Sequence, residues 1–368
     1  MLRGNADVGL AHSIVGSRLN VLARRPFIDK DGRGYVLTGR FNIRTGQYEI
    51  AGKQPLETLR NNATALLQYD EWKDIDRTVI EAATLRMRGI NDLRSAGLTH
   101  GLGSIGMTVS LWDRISDMTE ADIDMSAATS GMKDTPAYAP QFVPVPIVHK
   151  EFQMELRRLM ASREHGESLD ITAANIAGRK VAEKSEAMLF LGQSSIEVND
   201  PALGAGTIYG YTTHPDRNLV DMSAEWHTLQ PDENAQIVDD VMQMQQASRN
   251  NRYYGPWVLY IPSNFEAKMD EDYRGPNSSD TRTVRERIMA LSGIQDVRVA
   301  DFLPDSNVVL VTLQRDVVDL AIAQDISTVQ WSITGGMVEE FKVMAVWVPR
   351  IKSDFDGRSG ITHLRPVS

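Results

Sequence analysis

The chain of 368 residues has no cysteine. That excludes disulfide staples, thiolate metal sites and cysteine nucleophiles, and leaves the redox compartment open. Long apolar runs are also missing. The longest, Val343 to Val348, is six residues, against the roughly 20 that a helix needs to cross a bilayer. The first twenty residues lack the continuous apolar stretch of a secretion signal, so a soluble chain with no cleaved export signal and no membrane partner is expected. Histidine is sparse. His12, His100, His149, His165, His214, His227 and His363 show no pair at the four-residue spacing of a helical zinc site.

The chemical motifs are incomplete in the same way. No G-x-x-x-x-G-K-[ST] phosphate loop occurs, and "GLGSIG" at 101–106 has Leu102 where a nucleophile elbow needs glycine. "LGAGTIYGYTTHPDRN" at 203–218 places Gly204 and Gly206 as in a dinucleotide loop, but Tyr209 takes the third position and Gly210 comes one residue late. A long helix precedes it, and no strand is predicted to feed the glycines. Asp29 to Gly32 opens like a calcium loop without the closing ligands. The acidic pairs Asp122/Asp124, Asp239/Asp240 and Asp354/Asp356 sit beside no basic clamp or glycine loop. No metal, cofactor or catalytic set is expected. The enzyme alternative rests on Asp239 and Asp240 in an α/β lobe, and implies a small oligomer with saturable turnover.

Charge is unevenly spread. Residues 1–60 carry ten Lys/Arg against five Asp/Glu, a net of +5, so the remainder holds −15 of the total −10. A basic arm on an acidic body either touches phosphate or is simply solvated.

Within the arm, Phe41 and Ile43 alternate toward a Thr45-Gly46 turn and Tyr48 and Ile50 alternate back, which predicts a hairpin over 35–50. Tyr69, Trp72, Ile75, Val79, Ala82 and Leu85 recur at helical spacing over 66–93, with Gly89 at its weakening or end. Residues 107–149 hold Met107, Met118, Met125 and Met132 and Pro136, Pro140, Pro144 and Pro146 with no sustained period. Stiffening proline with adaptable methionine suits a segment that lies on a partner.

A strand-like "PIVHKEFQMEL" follows, then a turn at Gly166 and a helix over 171–191 capped by Asp170 and ended by Gly192. Arg179, Lys180, Glu183, Lys184 and Glu186 read as its wet face. Residues 234–325 predict a helix at 237–248, the strand "WVLYI", capping boxes at Ser263/Glu266 and Thr283/Glu286, and strands at 297–300 and 308–313. "ISTVQWSITGGMVEEFKVMAVWV" is a hairpin turning at Gly335-Gly336.

This order resembles the major capsid proteins of tailed bacteriophages and their relatives the encapsulins. The likeness is carried by "EWKDIDRTVIEAATLRMRGINDLRSAGLTH", "PVPIVHKEF", "AANIAGRKVAEKSEAMLFLGQ" with "IYGYTTHPDRN", and "LAIAQDISTVQW" with "VEEFKVMAVWVPRI", and it spans most of residues 61–350. It implies an α+β fold: an N-terminal arm (1–60), the helical start of a peripheral domain (61–106), an extended loop (107–149), the peripheral domain with its spine helix (150–205), an axial domain (206–325), and return strands with the C-terminus (326–368).

The resemblance further implies a non-enzymatic shell of pentamers and hexamers around viral double-stranded DNA, assembled in the host cytoplasm. The alternative is an encapsulin-like compartment holding protein cargo. Under the viral-shell reading, Trp112, Met118, Met125, Met132 and Tyr138 contact neighbouring subunits, and Arg18, Arg24 and Arg25 face packaged DNA. Gly204, Gly206 and Gly210 form the bend leaving the spine helix through access to positive φ. Partners are other copies, non-specifically bound DNA, and separate scaffolding, portal and cement proteins. The short N-terminal stretch argues against a built-in scaffolding segment, and no Lys–Asn crosslink is assigned.

Overall fold

In the computed structural model, residues 26–28, 34–42, 47–55, 69–84, 87–121, 123, 125, 133–158, 160, 171–201, 204–273, 282–333 and 337–366 are described. Alternation in the basic segment yields strands β1 (Pro26–Ile28), β2 (Gly34–Asn42) and β3 (Gln47–Pro55). Asn42 pairs with Gln47 and Phe41 with Tyr48, as the predicted turn requires.

The single helix expected over 66–93 is two: α1 (Tyr69–Thr84) and α2 (Arg88–Ser95). The division falls ahead of Gly89, which lies in the first turn of α2 and ends neither helix. A Cβ at Gly89 would meet Leu189 at 2.7 Å and Glu186 at 3.3 Å, so its missing side chain lets α2 press end-on against a later helix.

Next come β4 (Thr99–Gly101), β5 (Val109–Ile115), β6 (Tyr138–Pro144) and β7 (Ile147–Glu155). Helix α3 (Thr172–Leu191), the rod of about 30 Å expected from its length, follows. Its cap position is Ile171, with no side-chain cap bond; Asp170 and Gly166 lie outside the described residues. Small residues on α3 set its spacing from α1: a Cβ at Gly178 would lie 2.8 Å from the Val79 carbonyl oxygen.

Gly192, at φ +75°, ends α3 and donates its N–H to Met188. The chain then runs directly into β8 (Gln193–Asp200) and back along β9 (Gly204–Ile208). A strand therefore does precede the glycines, contrary to expectation. Gly204 and Gly206 sit within its hairpin partner, Gly210 follows two residues after it, and no helix opens there, so these glycines form no phosphate cradle.

The lobe contains β10 (Asn218–Asp221), α4 (Ala235–Asn250), β11 (Trp257–Ile261), α5 (Val284–Met289), β12 (Ile294–Val299) and β13 (Val308–Thr312). Thr283 forms the predicted reciprocal capping box with Glu286. Ser263 does not: it opens a 3-10 turn whose cap residue is Pro262, because the proline fixes the extended entry one residue earlier. The chain closes with β14 (Val318–Ile333), β15 (Val338–Ile351) and β16 (Ile361–Arg365).

One sheet, in the order β4-β14-β15-β7, packs against α3 and α1; the other, β10-β16-β13-β11-β12, forms the lobe. Strand β14 spans the expected boundary at 325/326, with shifts in its pairing to β15 between Ile322 and Ser327, and β16 returns to the middle of the lobe sheet, a placement not read from the sequence. Every residue of β11 and β13 is buried, as strands covered on both faces must be. The rod and four-stranded sheet share one apolar core with one face of the lobe, and a second core lies between the lobe sheet and α4 and α5.

Candidate functional site

The segment 107–149, expected to be irregular, contains a two-stranded ribbon: β5 and β6 pair from Val109 with Pro144 to Ile115 with Tyr138. Proline hid this ladder. Val145 donates its N–H to Thr108 and Ser116 donates to Ala137, which puts the ladder bonds on the even-numbered residues of β5. Pro140 and Pro144 face odd-numbered residues, where an N–H would point out of a two-stranded ribbon and none is missed.

Parity also sorts the ribbon's faces. Leu111 (53% exposed), Ile115 (52%) and Tyr138 (63%) stand outward, and Ile115 pairs directly with Tyr138 across the strands. Beyond the ladder Met118 is exposed, while Ile123 and Met125 are wholly so. Met132 lies outside the described residues, as do Arg18, Arg24 and Arg25. Trp112 faces the other way. It packs on the core with the Arg350 guanidinium 5.9 Å from its ring centre, so its own subunit holds the residue that was expected to grip a neighbour.

Two ionic anchors hold the ribbon, one near each end of its ladder. The Arg114 Nη2 donates to Asp216 at 2.8 Å and to Ser353 Oγ at 2.6 Å, joining β5 to the lobe. Deeper, Asp319 receives both arms of the Arg350 fork at 2.6 Å and Lys352 at 2.7 Å, and Arg350 reaches on to Ser110 Oγ at 3.3 Å. Burial pushes the Asp319 carboxyl up, but these hydrogen bonds and charges outweigh it and hold the group below the usual carboxylate range.

The glycines of the expected bend have separate tasks. The turn out of α3 is made by Gly192, and Gly210 packs so close that a Cβ there would lie 2.3 Å from the Gly192 nitrogen. Gly204 has φ +84° at the start of β9, and Gly206 lies under the Phe142 ring of β6. Of the three, only Gly204 uses a positive φ.

Glu186, placed on the wet face of α3 by spacing, is 1% exposed. Its carboxylate accepts the N–H groups of Gly89 at 2.5 Å and Ile90 at 3.2 Å, the free donors at the start of α2. Nearby, Tyr260 of β11 donates to Asp92 of α2 at 2.7 Å, and Phe190 meets Tyr211 and Tyr260 edge-on at 5.4 and 5.3 Å. This buried polar and aromatic cluster joins rod, α2 and lobe. Desolvation lifts Glu186 to about 7 despite those backbone bonds.

Elsewhere, Arg217 Nε donates to His363 Nδ1, and the Asp216 N–H donates to His214 Nδ1, each at 3.2 Å. Burial, first, and the neighbouring arginines push both imidazoles down to about 4. Protonation would remove both acceptors.

These shifts act in opposite senses. A carboxyl raised from 4.5 to about 7 contributes stability that is lost as pH rises through that interval. Imidazoles lowered from 6.5 to about 4 contribute stability that is lost as pH falls through theirs. From these three groups, thermal stability is expected to peak near pH 6.5 in a melting series. The His214→Gln/His363→Gln variant should lose less Tm between pH 6.5 and 5 than the parent, and Glu186→Gln should lose less between pH 6.5 and 8. Identical profiles for parent and variants would contradict the assignment.

The acidic pair Asp239/Asp240 does not converge. Asp239 is exposed, whereas Asp240 is fully buried and accepts from Ser223 Oγ at 2.6 Å and Trp226 Nε1 at 2.8 Å, a closed structural bond set. Asp354 and Asp356 both pair with Arg358. Among the described residues no cluster of potential metal ligands occurs, and no helix is long and apolar enough to cross a membrane.

Comparison with known proteins agrees with this architecture. A family model described as a family of unknown function, DUF6260, matches residues 61–364. The type 1 encapsulin shell protein EncA of Myxococcus xanthus (strain DK1622) is 23% identical over 287 residues, 78% of this chain and 90% of that protein. A virus-like particle from Pyrococcus furiosus superposes with a TM-score of 0.53 at 14% identity, covering 80% of this chain and 98% of that one. The capsid of Myoviridae phage XM1 gives 0.53 at 11% identity, with 76% and 92% covered. These relatives and fold neighbours are structural shell proteins, not enzymes. The chain belongs to the DUF6260 family and has the α+β fold of phage capsids and encapsulin-like particles.

Proposed function

We propose that the chain is the repeating subunit of a closed icosahedral-type shell that encloses double-stranded viral DNA. The observation that carries self-assembly is the outward face of the β5–β6 ribbon. Leu111, Ile115 and Tyr138 are more than half exposed on a ribbon anchored near both ends of its ladder. A rigid projecting apolar face is what a neighbouring copy would cover, and repeated use of a few such patches closes a shell.

The positive net charge of residues 1–60 supports an arm turned toward packaged phosphate, with Arg18, Arg24 and Arg25 in contact. Scaffolding, portal and cement proteins would be separate chains. The likeness to EncA favours a second reading, a compartment holding protein cargo.

Electron microscopy of purified particles, with nuclease-protected nucleic acid assayed on the same fraction, separates these readings. Shells with protected DNA are expected, with less DNA in Arg18→Gln/Arg24→Gln/Arg25→Gln particles. Shells with co-purifying protein and no DNA would favour the compartment. Small discrete oligomers alone would overturn shell formation. In the same assay Leu111→Ser/Ile115→Ser should stay folded, losing about 2 kcal/mol at each buried contact and with it most particles.

A further inference from the structure

Two buried acids hold α2 from opposite sides. Its first turn, which has no side-chain cap, gives the N–H groups of Gly89 and Ile90 to Glu186 of the rod, while Asp92 on the same short helix receives the Tyr260 hydroxyl of β11 and Arg298 of β12. Glu186 and Asp92 are 1% and 6% exposed. Arg298 is divided between two carboxylates, since its Nε also donates to Asp296 at 2.8 Å. Tyr211, fully buried with its ring centre 6.1 Å from that of Tyr260, adds a hydroxyl with no hydrogen-bond partner.

The other charges nearby are engaged elsewhere or point away. Arg88 opens α2 with an exposed side chain and bonds Glu186 through its backbone. Arg94, at the far end of α2, pairs with Asp325, and on α3 Lys180 pairs with Glu183 and Lys184 with Gln193. Helix α1 and strand β15, which also pack on α3, supply Val79, Ala83 and Val343 to the apolar core. An ionised Glu186 is thus buried on neutral N–H groups, beside a second carboxylate whose cation is already shared.

We propose that the first turn of α2, set between Glu186 of the rod and Asp92 bound to the lobe, is a proton-controlled clasp: closed while Glu186 carries a proton, and opened locally, with rod and lobe still folded, when that proton is lost. A protonated carboxyl keeps an oxygen to accept an N–H and adds no charge. The ionised group gains hydration if the uncapped turn lifts from α3. Desolvation first, and then the Asp92 charge, raise Glu186 to about 7 against its backbone bonds, and burial raises Asp92 as well. Burial and the charges of Glu186 and Asp92 push the Tyr211 hydroxyl up in turn. For a group raised from 4.5, the stabilisation of the closed clasp is present below that value and is lost as pH rises to about 7.

Amide hydrogen exchange of the 368-residue chain, corrected for the intrinsic rate, tests this. Protection over Arg88–Ser95 should fall between about pH 5.5 and 7, by up to about tenfold per unit because each opening releases one proton, and level off above that range. Protection over α4 should not fall with it. Glu186→Gln should give a flat profile. Arg298→Gln, at a position 39% exposed, should fold and carry the fall to higher pH, because the two carboxyls then share the seam without a cation. A flat wild-type profile would overturn the clasp, as would a fall that Glu186→Gln retains or one that α4 shares equally. If Glu186→Gln does not fold, the Arg298→Gln profile decides, and an unmoved levelling-off would overturn the clasp. The seam lies within one subunit, so these outcomes are independent of shell formation.

Discussion

Asp319→Ala is expected to destabilise the subunit by about 3–5 kcal/mol, because it strands a buried guanidinium. Asp319 and Arg350 are directly opposed across β14 and β15, 2% and 5% exposed at their side chains, and bonded through both carboxylate oxygens. Removing the carboxylate leaves Arg350 with the Ser110 Oγ and Leu111 carbonyl as its hydrogen-bond acceptors, at 3.3 and 3.4 Å, beside the Trp112 ring, and sets its charge against the nearby Lys352. Urea denaturation should show a lower midpoint at unchanged slope. A midpoint within error of wild type would mean that solvent reaches Arg350.

Removing both charges is a different experiment. Asp319→Leu/Arg350→Met takes away the ion pair without leaving either partner unpaired, so its cost should be far smaller. It nevertheless deletes the donor that ties Ser110 and Leu111 of the ribbon to the sheet. The double variant is therefore expected to fold and still assemble poorly, which separates stability from ribbon placement.

Trp347→Ala should cost a similar about 3–5 kcal/mol, by the cavity a deleted core indole leaves. Trp347 is fully buried in β15, opposite Ile322, and the Arg94 guanidinium lies 4.8 Å from its ring centre. Arg94 is in turn held by Asp325 at 2.8 Å. The loss thus combines apolar burial with a cation–π contact of about 0.5–1 kcal/mol, and the variant is expected to accumulate as insoluble protein. Trp347→Phe keeps most of the volume and a ring face, so it should remain soluble with a smaller fall in the urea midpoint. Equal behaviour of the two variants would contradict the cavity account.

Trp347 lies in the region that alternation made most legible, and Asp319 and Arg350 lie just outside it. Period-two patterning over 326–348 identified the β14–β15 hairpin before any neighbour was known, although every β15 residue from Val343 onward is buried, and the Thr283/Glu286 capping box and the glycine ending α3 follow from equally local chemistry. The ribbon was less legible. Four prolines masked a ladder that tolerates Pro140 and Pro144 because a two-stranded ribbon has an unbonded edge on each side. Trp112 is expected to face a neighbour because it opens the segment that the capsid resemblance lays on another subunit; strand parity places it on the inner face.

What the sequence by itself determined is therefore local or compositional: the absence of thiol chemistry, the helices and strands with clear periods, the basic start, and an element order resembling capsid proteins. Tertiary structure alone decided where charge is buried and which residues meet. Glu186 lies among Lys180, Glu183 and Lys184 on a helix whose spacing makes all of them look solvated, yet its partners are the N–H groups of Gly89 and Ile90, 97 and 96 residues earlier. Strand β16 enters the lobe sheet between β10 and β13, far from its neighbours in sequence. Periodicity records how a segment relates to its own axis; burial of a charge or insertion of a strand depends on distant segments that only the folded chain brings alongside.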